Sequence, residues 1–326
     1  MSNALEILLS ELKGPYRTIV LGSVFIEWII LIIARRIESN KSGLINILCY
    51  VIELIPYLFF GRIVIFGIML WSYNHRFLTL GFEWYIWVLA YLVYDFMLWF
   101  VHLIGHKVRF FWCIHGVHHT AEEMKLSVTI RGSFLGFLHS PLSIVFLPIL
   151  GFNPFMILLL DLIRRLYVLY EHASEYMDSF VGKLTWLEKI FITPSLHRVH
   201  HAKNFIYLDR NYGETFSVWD RIFKTFQPEL HDVRPVYGII SDKINSRNFF
   251  QVQLQLWKDL WSDIVRAPRL TDKIKYIIMP PGWNHIDGGK MASAYRLEAE
   301  KARQPAVSAE RHPAPSDQEI QPQDLI

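Results

Sequence analysis

Cysteine is scarce in this sequence, which has Cys49 and Cys113 as its two cysteines in 326 residues. Two cysteines so placed form neither a CxxC metal site nor a disulfide framework. Charge is sparse as well, since charged residues make up 19% of the chain and the formal net charge is only +3. This balance gives no support to nucleic-acid binding. Because Glu6, Glu11 and Lys13 interrupt the first seventeen residues, no secretory signal peptide is expected.

Apolar residues are abundant, at 52% of the chain, and aromatic residues make up 15%. They are concentrated in long runs with few charges, and a run of about 20 apolar residues is long enough to cross a bilayer as a helix. The predicted spans lie near residues 18–34, 44–71 and 82–103, followed by a hairpin of two shorter apolar runs at 134–170. The sequence therefore predicts an integral membrane protein that crosses the membrane several times.

Basic residues predict how these spans are oriented. Arg35, Arg36 and Lys41 follow the first span, and Lys107 and Arg109 follow the third. Loops rich in Lys and Arg stay on the cytoplasmic side of a membrane. We therefore expect these loops, and the C-terminus after the hairpin, to be cytoplasmic.

The fold class predicted from these patterns is all-α: a membrane helical bundle with a cytoplasmic helical cap. The predicted divisions are an N-terminal segment at 1–17, one domain at 18–298 with its cap at 171–298, and a disordered tail at 299–326. The tail is predicted from its Ala, Gln, Pro and charged residues, which offer little apolar surface to bury.

Histidine is the residue around which the chain is organised. Eight histidines fall in one HxxxH box and two HxxHH boxes: His102 and His106; His115, His118 and His119; His197, His200 and His201. Residues three or four apart share a helix face, so each box directs its imidazoles to one place. Imidazole binds iron, zinc and copper, and eight ligands exceed what one such ion takes. The pattern predicts two metal ions at the cytoplasmic side.

A ninth histidine, His172, ends the hairpin as His106 ends the third span. We expect it to be a further ligand, with a polar anchor at the membrane interface as the alternative. The other histidines are scattered and are expected to be structural or surface residues: His75, His139, His231, His285 and His312. The sequence indicates no catalytic residue beyond the metal ligands.

Charged residues inside the apolar runs are the other site candidates. Asp95 shares a helix face with His102 and is expected either to bond an imidazole from another box or to make a polar contact between helices. Asp161 and Arg165 share a face with His172. They are expected to form a lipid head-group pocket or a structural ion pair.

The boxes at the ends of apolar spans resemble the fatty acid hydroxylase and sterol desaturase superfamily. Shorter strings resemble its alkylglycerol monooxygenase-like branch: Phe111–His119, Leu126–Ser127 with Arg131, Thr193–His201, Asp209–Gly213, Trp219–Phe223 and Pro280–Trp283. The resemblance covers roughly residues 15–285. It adds Asn211 and Asp220, which lie within two of these strings, to the candidates near the metal or substrate.

This resemblance implies a membrane-bound di-iron oxygenase that hydroxylates or desaturates a lipid with O2. Electrons are then expected from a separate donor such as a pterin, a ferredoxin or a cytochrome, because the sequence has no GxGxxG after a strand and no CxxC. A zinc protease is excluded because the first box has Leu103 where HExxH has Glu. A histidine-rich metal transporter or sensor, or a haem protein, is the alternative.

The sequence departs from the pattern of this branch in two places. Lys107 stands where the branch often carries Glu, and Met124-Lys125 stands where relatives tend to carry Tyr-Asn. Both positions flank the expected pocket. The predicted substrate is therefore a lipid whose class stays open among ether lipid, fatty acyl, sterol and head group.

Overall fold

The computed structural model of this protein describes residues 2–35, 40–57, 62–176 and 185–311. Within these ranges the chain forms α-helices joined by 3₁₀ segments and loops, with no β-strand. Two isolated antiparallel bridges pair Phe191 with Phe216 and Ala202 with Tyr237. The predicted all-helical class is therefore confirmed for the described part of the chain.

The first α-helices in chain order are α1 (Ser2–Ile33), α2 (Asn40–Pro56), α3 (Arg62–Asn74), α4 (Trp84–Lys107), α5 (Arg109–His119) and α6 (Pro154–Glu171). They are followed by α7 (Pro194–His201), α8 (Val218–Ile222), α9 (Phe249–Arg266), α10 (Leu270–Ile278) and α11 (Ala292–Arg311). The 3₁₀ segments are Leu126–Ile130, Gly136–Leu138, Ser140–Ser143, Leu147–Leu150, Leu187–Lys189 and Phe205–Tyr207.

Helix α4 covers the predicted third span from residue 84 onward, and among the described residues it is the one helix long and apolar enough to cross a membrane. The other predicted spans fall on shorter apolar helices. The first lies in α1 up to residue 33, and the second is divided between α2 and α3, with residues 58–61 outside the described ranges. That these shorter helices also cross a membrane stays a prediction.

The predicted hairpin at 134–170 has two unlike arms. Its second arm is α6, but its first arm is a series of 3₁₀ turns, in which Pro141 and Pro148 are the second residues of two segments. A proline in a helix interior removes a hydrogen bond and clashes with the preceding turn, so one continuous α-helix does not form there. Gly151 turns the chain with φ of 107°, and a Cβ at this position would lie 2.5 Å from the carbonyl oxygen of Leu78.

The apolar core lies around α4. Ala90 and Tyr94 of α4 pack with Met69 of α3 and with Met156 and Ile157 of α6, and all five side chains have no solvent exposure. Close packing of this kind fixes the relative positions of the helices. It therefore fixes where the C-terminal ends of α4 and α6, which carry histidines, lie relative to one another.

The second and third boxes lie on α5 and α7. Helix α5 starts directly after α4, because Val108 between them is extended, with φ of −115° and ψ of 115°. Helix α7 is capped by Thr193, whose side chain accepts a hydrogen bond from the backbone N–H of Leu196, and Pro194 is its first residue. These local signals start each helix so that its histidines face the ends of α4 and α6.

The C-terminal part of the described chain contains α8 to α11. Helix α11 continues through residues 299–311, where the sequence predicted an unstructured tail, and the rest of that tail lies outside the described residues. The division of the chain into a membrane domain, a cap and a tail stays a prediction.

Candidate metal centre

All nine predicted histidines lie in one buried region, and they form two groups. The ligand-type nitrogens within each group lie within 4.8 Å of one another. The first, called the five-histidine group, contains His102, His106, His115, His119 and His200. The second, called the four-histidine group, contains His118, His172, His197 and His201. Whether each of these residues binds a metal stays a prediction.

The two HxxHH boxes each contribute to both groups. Helix α5 directs His115 and His119 into the five-histidine group and His118 into the four-histidine group. Helix α7 directs His197 and His201 into the four-histidine group and His200 into the five-histidine group. Residues four apart share a face, whereas the neighbouring residue is turned about 100° around the axis. Each box therefore contributes a pair to one group and a single ligand to the other.

The nitrogens within each group are spaced as ligands of one ion would be. In the four-histidine group, the Nε2 of His172 lies 3.1 Å from the Nε2 atoms of both His118 and His197. In the five-histidine group, the Nε2 of His119 lies 3.1 Å from those of His115 and His200. Two nitrogens bound at about 2.1 Å and at about 90–109° to one ion are about 3.0–3.4 Å apart. The spacing fits a metal ion in each group.

Hydrogen bonds at the other ring nitrogen set the tautomer of several imidazoles. The Nδ1–H groups of His102, His172 and His200 donate to backbone carbonyls of Tyr212, Val168 and Arg210, at 2.9, 2.8 and 2.9 Å. A carbonyl can only accept, so Nδ1 carries the proton and Nε2 keeps a free lone pair. Such contacts hold metal-ligating imidazoles in position.

Two Nε2 atoms of the five-histidine group have no hydrogen-bond partner among the described residues. The Nε2 atoms of His102 and His106 are buried, and no described group bonds to either. Buried polar atoms in folded proteins almost always have a partner. The unpaired nitrogens, together with an all-imidazole donor set, fit first-row metal ions.

Burial keeps these imidazoles in the neutral form that binds metal. It lowers the pKa of His115, His119 and His200 well below the usual range, and neighbouring imidazoles lower each pKa further. Burial also lowers the pKa of His172 to about 4. A neutral imidazole offers a lone pair without first losing a proton, so the groups are ready to bind metal near neutral pH.

Asp209 supports the site, although the sequence analysis did not single it out. Its Oδ1 accepts a hydrogen bond from the Nδ1 of His106 at 3.3 Å, and its Oδ2 pairs with Lys107. Burial by itself would raise the pKa of Asp209, but the bond from His106 and the charge of Lys107 outweigh burial and hold this pKa well below the usual range. Lys107, which stands where the branch often carries Glu, therefore pairs with the carboxylate that accepts the hydrogen bond from His106.

Glu171 is a second residue that sequence reasoning missed, although it directly precedes His172. It has no solvent exposure, and neither carboxylate oxygen has a hydrogen-bond partner among the described residues. One of them lies 3.9 Å from the Nδ1 of His197, which is also buried and unbonded. A small approach of the two would let His197 donate to Glu171 and present its Nε2 as a lone pair.

Asp220 and Asn211 hold the loop beside the five-histidine group. Asp220 accepts hydrogen bonds from the backbone N–H groups of Tyr212 and Gly213, each at 2.8 Å, and from the Nε1–H of Trp99 at 3.0 Å. These bonds position Tyr212, whose backbone carbonyl accepts the hydrogen bond from the Nδ1–H of His102. Asn211 donates through its side-chain amide to backbone carbonyls on both sides of this loop. Both candidates position the loop, and neither forms a hydrogen bond with an imidazole of the described residues.

Asp95 contacts no histidine among the described residues. Its carboxylate accepts from the backbone N–H groups of Thr215 and Phe216 at 3.1 and 3.2 Å, and from the Nε1–H of Trp219 at 2.9 Å. Asp95 therefore fixes this loop and the start of α8 against α4. The structure supports the expected polar contact rather than a bond to an imidazole.

Asp161 and Arg165 lie in a network of charged side chains. Asp161 accepts from Arg165 at 2.8 Å, from Arg164 at 3.0 Å and from the hydroxyl of Tyr94 at 2.7 Å. Arg164 also donates to Glu214 at 2.7 Å. The ion pairs within α6 and the pair with Glu214 compensate these charges inside the protein, as charged groups away from water require. They fit the structural alternative better than a lipid head-group pocket.

A cavity of about 440 Å³ reaches the histidines from the side of the C-terminal helices. Its inner end includes His106 and His200, and its walls include Trp112 of α5, Leu256 of α9 and Trp283. A concave, partly apolar cavity with polar groups at its inner end is the usual form of a small-molecule site. Four of the nine histidines line it: His106, His119, His200 and His201.

Residues 87–225 of this chain match the fatty acid hydroxylase family model, and this stretch contains all nine histidines of the centre. The chain therefore carries a fatty acid hydroxylase domain and belongs to the fatty acid hydroxylase and sterol desaturase superfamily. The membership predicted from the motifs is confirmed.

Curated relatives support the branch that was predicted within this superfamily. Alkylglycerol monooxygenase of Homo sapiens is 32% identical over 246 residues, which are 74% of this chain and 53% of the relative. The Caenorhabditis elegans protein of the same name is 31% identical over 212 residues, covering 60% and 39%. Ornithine lipid hydroxylase OlsE of Rhizobium tropici is 30% identical over 140 residues, covering 43% and 41%. The chain thus spans about half or less of these relatives, and no solved structure matches it significantly.

Proposed function

We propose that this protein is a membrane-bound di-iron oxygenase that hydroxylates a C–H bond of a lipid with O2 and external electrons. The observation that carries the proposal is the pair of histidine groups, with Nε2 atoms 3.1 Å apart in each. The names of the relatives, monooxygenase and lipid hydroxylase, support the same reaction class. Desaturation of the lipid is the related outcome that the same chemistry allows.

The chemistry explains why metal is needed. An unactivated C–H bond offers no proton that a side-chain base can remove, so bound iron supplies the redox chemistry for O2. The chain supplies ligands, orientation and exclusion of water. Asp209 and the Tyr212 carbonyl hold the imidazoles of His106 and His102, and burial keeps the imidazoles neutral.

The cavity is the proposed place of the reacting lipid segment. It ends at His106 and His200, and Leu256, Trp112 and Trp283 give it apolar walls. An apolar wall favours a hydrocarbon segment over water. The exposed apolar helices of the N-terminal half suit a multi-pass membrane domain, and the positive-inside rule supports a cytoplasmic metal centre and C-terminus.

The electron donor is proposed to be a separate partner. Neither a dinucleotide-binding fingerprint nor a CxxC motif occurs in the sequence. A pterin, a ferredoxin or a cytochrome would each supply electrons from outside the chain.

The alternative of a transporter, sensor or haem protein has less support. A transporter lines a path with its polar groups, whereas here the nitrogens of each group converge within 4.8 Å. A haem needs one or two axial ligands, which would leave most of the nine imidazoles without a role.

Lipid mass spectrometry of cells that express the protein tests this proposal. The matched control is the His118→Ala variant, which lacks one nitrogen of the four-histidine group. A lipid heavier by one oxygen atom, present with the wild type and absent with the variant, supports hydroxylation. A lipid lighter by two hydrogen atoms indicates desaturation. Identical lipid profiles, with the wild type metal-loaded and supplied with reductant, would contradict an oxygenase.

A further inference from the structure

Helix α10 is attached to the protein by its more polar face and exposes its apolar face. Leu270, Ile274 and Ile278 recur every four residues and are 73%, 48% and 53% exposed. Tyr276, on the opposite side, is 4% exposed, and its hydroxyl bonds to the Nδ1 of His285 at 2.8 Å. A helix that covers a soluble core shows the reverse arrangement. The outer face of α10 is therefore suited to an apolar surrounding.

Helix α9, which packs beside α10, continues this apolar surface. Phe250, Trp261 and Val265 are 70%, 68% and 60% exposed and lie on one side of α9. The inner side of the same helix packs against α5 and contributes Leu256 to the wall of the cavity. We call the outward surface of the two helices the hairpin face, consisting of Phe250, Trp261, Val265, Leu270, Ile274 and Ile278.

Basic residues surround the hairpin face. The α9–α10 region carries Lys258, Arg266, Arg269, Lys273 and Lys275, and none of these forms an ion pair with a described residue. Two of its three acidic residues are already paired, Asp263 with Arg109 at 2.6 Å and Asp259 with Lys243 at 3.0 Å. The face is thus an apolar patch with an excess of unpaired positive charge.

We infer that the hairpin of α9 and α10 lies in the head-group layer of an anionic membrane, with the hairpin face at the acyl boundary. Apolar side chains on one face with Lys and Arg around them are the pattern of a helix that lies in a membrane interface. Long basic side chains reach anionic head groups while their methylene stems stay near the apolar layer. The two helices therefore separate the bilayer from the cavity that leads to the metal centre.

A second copy of this chain fits the hairpin face less well. A symmetric dimer places the same patch of both subunits together. The five unpaired cations of one subunit would then face those of the other, and like charges at an interface disfavour association. Anionic lipid offers the complementary charge.

Site-directed spin labelling tests the inference in the 326-residue chain. Cys49 and Cys113 are buried, so a thiol reagent should label an added exposed cysteine selectively. The variants are Trp261→Cys and Ile274→Cys, and the control is Arg234→Cys, where the native side chain is 84% exposed. Each is reconstituted in vesicles of phosphatidylcholine with phosphatidylglycerol. Collisions of the label with O2, which enters bilayers, are compared with those of a water-soluble nickel chelate.

At positions 261 and 274 we expect access to O2 to exceed access to the chelate several-fold, and the ratio to be reversed at 234. The triple variant Arg266→Gln, Arg269→Gln and Lys273→Gln should lower the ratio at 274 in anionic vesicles. Chelate access at 274 equal to that at 234 overturns the inference. So does spin–spin broadening at 274 that disappears on dilution with unlabelled protein, because it identifies a second copy. The lipid-product assay is separate, so loss of the oxygenase proposal leaves these ratios unaffected.

Discussion

The Nε2 atoms of His118 and His172 lie 3.1 Å apart, although 54 residues separate them in the chain. His172 directs its Nδ1–H to the carbonyl of Val168, so its Nε2 faces His118 as a lone pair. A cation between the two nitrogens would turn this contact from repulsive to attractive. This relationship joins the end of α6 to α5 and leads to the first predictions.

Purified protein should contain about two metal ions per chain, since two separate groups of imidazoles are present. Removing the His197 imidazole by substitution with Ala should lower the content toward one, because this ligand belongs to the four-histidine group alone. Elemental analysis measures the stoichiometry, and reloading with iron tests activity. One tightly bound zinc with no dependence on iron would refute the assignment.

His172→Ala should abolish turnover and lower the iron content, because water in the open position does not replace an imidazole ligand. The matched control is His139→Ala. His139 is equally buried, but its Nε2–H donates to the carbonyl of Val101 at 3.0 Å and it belongs to neither group. Its loss should cost about 1–3 kcal/mol of stability and leave iron in place. Full iron content and near-normal turnover in His172→Ala would return that residue to a structural role.

Asp209→Asn should weaken metal binding about 10–100-fold, because it removes the charge that holds the Nδ1–H of His106. Titration of the metal-free protein with Co2+, followed by its visible absorption, measures this affinity without turnover. Asp232→Asn is the control, since Asp232 pairs with Arg303 on an exposed surface. Equal affinities in the two variants would show that Asp209 has no positioning role.

Metal-free protein should lose stability as the pH falls below about 6.5. Folding lowers the pKa of His172 from 6.5 to about 4, and it lowers the pKa of His118, His197 and His201 as well. The unfolded chain then binds more protons than the folded chain, so stability rises with pH in this interval and falls on acidification. Thermal unfolding of chelator-treated protein at about pH 7.5, 6.5 and 5.5 checks the sign. An unchanged or higher unfolding temperature at the lowest pH would contradict it.

A reporter fused after residue 326 should be active only as a cytoplasmic fusion. The basis is the placement of Arg35 and Arg36 after the first predicted span and of Lys107 and Arg109 after the third. Paired fusions to an enzyme active only in the cytoplasm and to one active only after export measure this. Activity of the exported enzyme would reverse the predicted orientation.

The sequence by itself determined the helical class and the set of nine histidines. Both depend on short-range geometry, because residues three and four apart meet on one side of any α-helix. The boxes at His102, His115 and His197 therefore predict a metal centre without any knowledge of long-range contacts. The approximate ends of α4 and α6 could also be predicted from the sequence, because the apolar runs that form these helices end there.

Only the tertiary structure decided how the histidines divide and what supports them. The neighbouring imidazoles of His200 and His119 are 81 residues apart in the sequence. Asp209 and His106, which share a hydrogen bond, are 103 residues apart. Spacing along a helix carries no information about such partners, because loops of many lengths and directions can connect the same helices. The packing of α4, α5, α6 and α7 selects one arrangement, in which each HxxHH box serves both groups.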